Sequence, residues 1–251
     1  MAEAIRLVVG TISLRPYVVC FLVCYLYAAS RDLGWRRTGF LTVYGWAIAF
    51  LAEFASTRIG LPFGLYHYTG STAGQELYVA NVPFFDSLSF TFLAYTSFCL
   101  ARWTLGLRRG VAVIALTGVL MMLLDMVIDP LAVRGDRWFL GRIFYYPEGG
   151  VYFGVPLSNF LGWAIVGWVI IAGYLAVAGE GAQGRPGLGI TLYYAILAFN
   201  LVMTWWIGEP LLLLCGILLH VGAFLVLWLA RGMLVDPVGT APVLNPWHKT
   251  S

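Results

Sequence analysis

The chain has 251 residues, 61% of them hydrophobic and only 11% charged. Soluble domains carry roughly 25% charged residues, so a soluble globular protein is excluded and an all-α integral membrane protein is expected. The net charge of +3 comes from arginines and a single lysine, Lys249. These charges fall in loops, where they set topology, and no nucleic-acid partner is expected.

A membrane-crossing helix needs about 20 mostly apolar residues. In chain order the sequence predicts seven: Arg15–Ser30, Gly39–Thr57, Val82–Ala101, Val111–Ile128, Tyr152–Ala178, Leu188–Ile207 and Pro210–Ala230. Arg6 and Arg15 precede the first run, but no small-residue cleavage site follows it, so it is expected to remain as a span. Mostly short connections make residues 1–251 a single polytopic domain. Gly179–Gly187 reads as a turn, and the Pro-rich tail 231–251 as irregular. Cys20, Cys24, Cys99 and Cys215 all lie in apolar runs without a CxxC, so neither a disulfide nor a zinc site is expected.

Two connections are longer than the rest, Arg58–Asn81 and Pro130–Val151. They read "RIGLPFGLYHYTG" and "RWFLGRIFYYPEGGVYFGVP", rich in aromatics, Gly and Pro. Loops of this length are usually functional or disordered, and this composition argues against disorder. Both fall on one side of the membrane. The other side carries Arg31, Arg36, Arg37, Arg102, Arg108, Arg109, Arg185, Arg231 and Lys249. The loop side carries Arg6, Arg15, Arg58, Arg134, Arg137 and Arg142 in longer segments. The positive-inside rule then puts the C-terminus in the cytoplasm and the N-terminus outside.

On this topology the acids of the spans fall in the outer half. Glu53 lies near the end of the second span, Asp86 at the start of the third, and Asp125 and Asp129 at the end of the fourth. Glu209 opens the seventh, and Asn159 lies early in the fifth. No acid is expected within a span in the cytoplasmic half. Carboxylates in spans cost about 2.5–3.5 kcal/mol each on insertion scales, so they usually face a cavity or a partner. Asp125 and Asp129 are one helical turn apart on one face. Two adjacent carboxylates in a low-dielectric site do not both ionise easily, which leaves one as a proton donor and the other as an acceptor.

Each residue also has a plainer reading. Asp129 precedes Pro130, which disfavours further helix, so it could end its helix and pair with Arg134 or Arg137. Glu209 before Pro210 suits a helix start. Asp86 could cap the third span, and Glu53 could pair with Arg58. Most aromatics suit an interfacial belt. His220, alone in mid-span, suits a hydrogen-bonded core position, and His248 lies in the tail. His67, in the first aromatic loop, is the histidine worth testing.

Several classes are excluded. Three histidines cannot build the His-rich di-iron site of a membrane desaturase, and no dinucleotide fingerprint occurs. An oxygen added by this chain would then come from water. A retinal protein needs a buried lysine, and the only lysine is Lys249. A prenyltransferase needs two Asp-rich motifs to hold Mg²⁺, whereas "DMVID" has no second counterpart. No metal and no cofactor are expected.

Four segments in order, "TRIGLPFGLYHYT" following Glu53, "NVPFF", "LLDMVIDP" and "GVYFGVPLSNFLGW", resemble the membrane carotenoid hydratases of bacteria and archaea. The resemblance covers about Glu53 to Trp163, with hydropathy alone matching outside it. Asp86 after "VPFF" and Glu148 in "YYPEGG" depart from the pattern. The resemblance implies a prokaryotic multi-pass membrane enzyme of carotenoid biosynthesis. It would add water to the terminal double bond of an acyclic carotenoid through a tertiary carbocation, without a cofactor. It implies acid–base roles for Asp125, Asp129 and Glu53, with Asp125 favoured as the acid and Asp129 or Glu53 as the base, while Asp86 is a further catalytic candidate from its place among the outer-half acids. Tyr66, Tyr68, Phe153 or Trp163 would face the cation, His67 would contact substrate, and Asn159 would position water. The implied partners are water and a carotenoid entering from the bilayer, with contact to other pathway enzymes left open. Rival readings are a membrane carotenoid cyclase, which begins with the same protonation, a proton-coupled transporter and a non-catalytic carotenoid scaffold.

Overall fold

The computed structural model describes residues 2–178, 184 and 186–235. Most of the expected turn at 179–187 and the tail beyond Val235, with His248 and Lys249, lie outside the described residues. The described chain starts with α1 (Ala2–Leu14), α2 (Pro16–Asp32) and α3 (Trp35–Ile59). A loop bearing β1 (His67–Tyr68), β2 (Tyr78–Val79) and β3 (Val82–Pro83) leads to α4 (Phe84–Leu105) and α5 (Val111–Ala132). A second loop holds a 3-10 turn (Gly135–Arg137) and β4 (Phe144–Tyr145), and α6 (Leu157–Ala178), α7 (Gly187–Trp206) and α8 (Pro210–Leu234) follow. Helices α3 to α8 are each long and apolar enough to cross a membrane, and α2 with its bent neighbour makes up to seven spans.

The bend between α1 and α2 is 92°. Pro16 disfavours helix at the residue before it and suits the first turn of a new helix, and Arg15 has φ −129° and ψ 55°. Helix α1, not expected from the apolar runs, therefore leaves the direction of the span. Ile5, Val8, Val9 and Ile12 make an exposed stripe with helical spacing. Its other side docks on the first long loop. The Leu77 N–H donates to Thr11 Oγ1 at 2.9 Å, and a Cβ on Gly10 would lie 1.8 Å from the Gln75 carbonyl oxygen.

Helix α4 is the most buried span and packs against α3, α5 and α7. Two of its buried threonines bond to its own backbone. Thr91 donates to the Leu88 carbonyl at 2.8 Å and Thr96 to the Leu93 carbonyl at 3.1 Å. Helices α5 and α6 approach closely where Gly118 faces Gly167: a Cβ on Gly167 would lie 3.1 Å from the Gly118 Cα. Small residues permit such packing where lipid offers no hydrophobic drive for helix association.

The two long loops form a cap over one end of the bundle. Strands β1 and β4 pair antiparallel, His67 opposite Tyr145 and Tyr68 opposite Phe144, so each loop holds the other. Strands β2 and β3 form a second small ladder.

Several boundaries differ from expectation. Helix α5 does not end at Asp129 but runs through Pro130 to Ala132, and the Val133 N–H donates to the Asp129 carbonyl at 2.9 Å. The fifth span starts at Leu157 rather than Tyr152, because Tyr152 and Val155 bridge to each other in a turn. The last helix runs to Leu234. The half of the bundle away from the long loops does contain a buried acid, contrary to expectation: Asp32 closes α2 and pairs with Arg102 in the last turn of α4. Either charge alone would be costly there, so hydropathy assigns both to loops, but the two neutralise each other.

Candidate active site

Beneath the cap lies a cavity of about 130 Å³, walled by α2, α4, α5, α6, α7 and both long loops, with Glu53 from the end of α3. Glu53 is held at both oxygens. Tyr68, on β1, donates to Oε1 at 2.8 Å, and Ser87, on α4, donates to Oε2. Arg58 is not its partner. That guanidinium lies over the Phe54 ring and donates to the Phe54 carbonyl and to Asn81.

The helical spacing of Asp125 and Asp129 puts both beside Asn159 in the first turn of α6. The Asn159 Nδ2 donates to Asp125 Oδ2 at 2.7 Å and to Asp129 Oδ2 at 2.8 Å. Asp129 lines the cavity, while Asp125 lies behind it, fully buried and outside the lining. The arginines once available to Asp129 go elsewhere: Arg134 and Arg137 both bind Glu209 ahead of α8. Glu209 stands at the start of α8, where its structural reading put it, and these pairs also tie the second loop to that helix.

Asp86 does not cap α4, whose N-cap is Pro83. It pairs with Arg15, and Arg15 also donates to Glu76 Oε1 at 2.8 Å. This cluster joins the α1–α2 bend, the first loop and α4. It exists because Pro16 turns α2 away from α1 and leaves Arg15 at the joint, beside the cavity.

Aromatic faces complete the wall. Phe90 and Trp163 stack with centroids 3.9 Å apart, and Phe63 packs against both. Tyr66 meets Tyr68, Phe144 and Tyr146 at 5.4 to 5.7 Å. Burial, and then the Glu53 carboxylate, push the Tyr66 phenol well above its ordinary value, while burial and then Asp129 do the same to Tyr146. Both phenols are therefore proton-bearing groups and not anions at neutral pH.

Of the residues expected from sequence, Glu53, Asp86, Asp129, Tyr66, Tyr68, Asn159 and Trp163 meet at the cavity, and Asp125 stands one hydrogen bond behind. His67 and Phe153 do not line it. Neighbours on a strand point to opposite faces, so with Tyr68 turned inward His67 lies against Tyr145, with centroids 5.9 Å apart. Phe153 adopts φ +52° and offers its carbonyl to Arg134 at 2.7 Å. The sequence reading missed Arg15, Ser87 and Tyr146. The Arg15–Pro16 step was a signal for the first, since Pro at N1 marks a helix start and leaves Arg15 at its boundary. Among the described residues, no three His, Cys, Asp or Glu side chains converge as metal ligands. The arrangement offers a paired carboxyl group for proton donation, a separate fixed carboxylate, and aromatic faces suited to a cation.

The sequence matches the carotenoid biosynthesis protein family over residues 5–223. It is similar to the bisanhydrobacterioruberin hydratase of Haloarcula japonica, with 31% identity over 181 residues. That alignment covers 68% of this chain and 57% of the relative, so the chain matches little more than half of that protein. No solved structure matches.

Proposed function

The chain belongs to the carotenoid biosynthesis protein family, and from that premise we propose that it is a cofactor-independent hydratase of acyclic carotenoid ends. The observation that carries this reading is Asp129. It faces an aromatic-lined cavity, shares the Asn159 amide with Asp125, and lies within electrostatic reach of Glu53.

In this mechanism Asp129 gives its proton to the less substituted carbon of the terminal double bond, and the π pair forms the new C–H bond. The tertiary cation left behind faces Trp163, Phe90 and Tyr66, whose ring faces attract positive charge. A water oxygen bonds to the cation, and Glu53, oriented by Tyr68 and Ser87, takes the water proton. Glu53 then releases its proton to solvent and Asp129 regains one, which restores both groups. Asp125 backs the donor because two buried carboxyl groups at one site keep a proton between them more easily than they lose both. The sequence reading favoured Asp125 as the acid, but its position behind Asp129 supports Asp129 for direct transfer.

The size of the cavity fits an end group. A 150 Å³ apolar cavity is known to hold benzene, so about 130 Å³ suits one branched terminal unit. The rest of the polyene would extend toward the bilayer, from which it enters. The arginine distribution supports a cytoplasmic C-terminus and an outer cap.

The test is expression in a host that accumulates lycopene, with pigments separated and weighed by mass spectrometry. The expected product is heavier by one water per reacted end, and Asp129→Asn, present in the membrane at normal level, forms none. An isomer of unchanged mass would replace hydration by cyclisation. Unaltered hydration by Asp129→Asn would refute the assigned donor.

A further inference from the structure

A hydratase must bring two unlike reactants to one place. In the hydratase reading the apolar carotenoid end, matched in size to the cavity, comes from lipid, which does not supply the water. A second cavity bears on this. It has a volume of about 400 Å³ and lies between α1 and the first loop, ringed by Glu3, Thr69, Glu76, Tyr78 and Asn81. Its rim residues Gly70, Gly74 and Ala80 are exposed. A water molecule occupies about 30 Å³ in the liquid, so this funnel, open at its rim, is amply wide for water.

The funnel and the reaction cavity share a wall. Tyr68 lines both. Glu76 lines the funnel and is bonded to Arg15, which lines the reaction cavity. Two details point to water at this wall. Glu76 is 1% exposed, and its Oε2 has no hydrogen-bond partner among the described residues, although buried carboxylate oxygens nearly always have one. The Tyr68 hydroxyl, on the same wall, donates to Glu53, the carboxylate assigned to deprotonate water.

We propose that this funnel is the water entrance of the reaction cavity, with Tyr68 and the Arg15–Glu76 pair as its inner partition. The inference rests on the hydratase reading. Water and carotenoid then arrive by separate routes. Each turnover draws one water from the funnel side past Tyr68; its oxygen joins the cation and its proton goes to Glu53. Helix α1 acquires a purpose, because it forms one side of the funnel and its end supplies Arg15 to the partition.

The test uses Ala73→Cys, at an exposed position on the funnel lining. Full-length protein in sealed membranes loaded with lycopene is treated with a charged, membrane-impermeant methanethiosulfonate, which attaches a polar plug. Hydrate formation should fall by an order of magnitude or more, with carotenoid binding unchanged. Reductive removal of the plug should restore it, and the parent chain treated alike should lose nothing. Complete labelling with undiminished hydrate formation would overturn the proposal, as would failure of the reagent to reach Cys at this position. If neither the parent nor unlabelled Ala73→Cys forms hydrate, the hydratase reading fails instead.

Discussion

The two ends of this helix bundle both bury charge, and they do so differently. At the end opposite the cap one acid meets one base: Asp32 pairs with Arg102, Cys99 approaches at 3.7 Å, and neither charged residue lines the reaction cavity or the funnel. At the capped end Glu53, Glu76, Asp86, Asp125 and Asp129 lie in or near the wall of a cavity with one buried arginine, Arg15, which pairs with Glu76 and Asp86 alone among them. A neutral pair in a closed site serves to join helices. An excess of carboxyl groups in an open one is costly for stability and makes sense as chemistry. The excess, more than burial itself, separates the end proposed for catalysis from the other.

Substitutions sharpen this contrast. Asp129→Asn keeps the shape of the side chain but removes the transferable proton, and turnover should fall by roughly 10²–10⁴-fold, the usual range for a lost general acid. Stability should hardly move, which melting in detergent would check. Arg102→Met should do the reverse. It leaves Asp32 buried and unpaired, at a cost of about 3–5 kcal/mol. The yield of folded protein should drop while activity per folded molecule stays normal, and Asp32→Leu added to it should recover most of the loss. Near-normal stability of the single variant would break the comparison.

A smaller effect is expected at Trp163→Leu, which removes one cation-facing ring worth about 0.5–2 kcal/mol. Turnover should fall several-fold with less change in KM, because the ring acts on a charge absent from the substrate. His67→Ala is expected to matter least, within about 0.5 kcal/mol in stability and without effect on product. A large loss of turnover there would mean that the cap is arranged otherwise.

The contrast was only half legible in the sequence. The Asp125–Asp129 spacing is local, and helical periodicity alone brings the two together. Their association with Asn159 followed because both helix ends lie on one side of the membrane. The Arg15–Asp86 pair was not legible. Its members are 71 residues apart, and they meet only because α2 turns away from α1 at Pro16. Asp32 and Arg102 were assigned to loops because hydropathy judges each charge alone, and partnership is what permits burial. The cap held the hardest case: one loop presented Tyr66, His67 and Tyr68 as equals. The pairing of β1 with β4 decides which of them turn inward, and a register two loops long in sequence is not written in either loop by itself.

The most direct measurement is the source of the oxygen. Purified protein in lipid vesicles would be given an acyclic carotenoid in heavy-oxygen water with oxygen gas excluded. The account predicts a tertiary alcohol carrying the heavy label at each reacted end, formed by the parent chain and not by Asp129→Asn. A product without the label, or one whose formation requires oxygen gas, would contradict it.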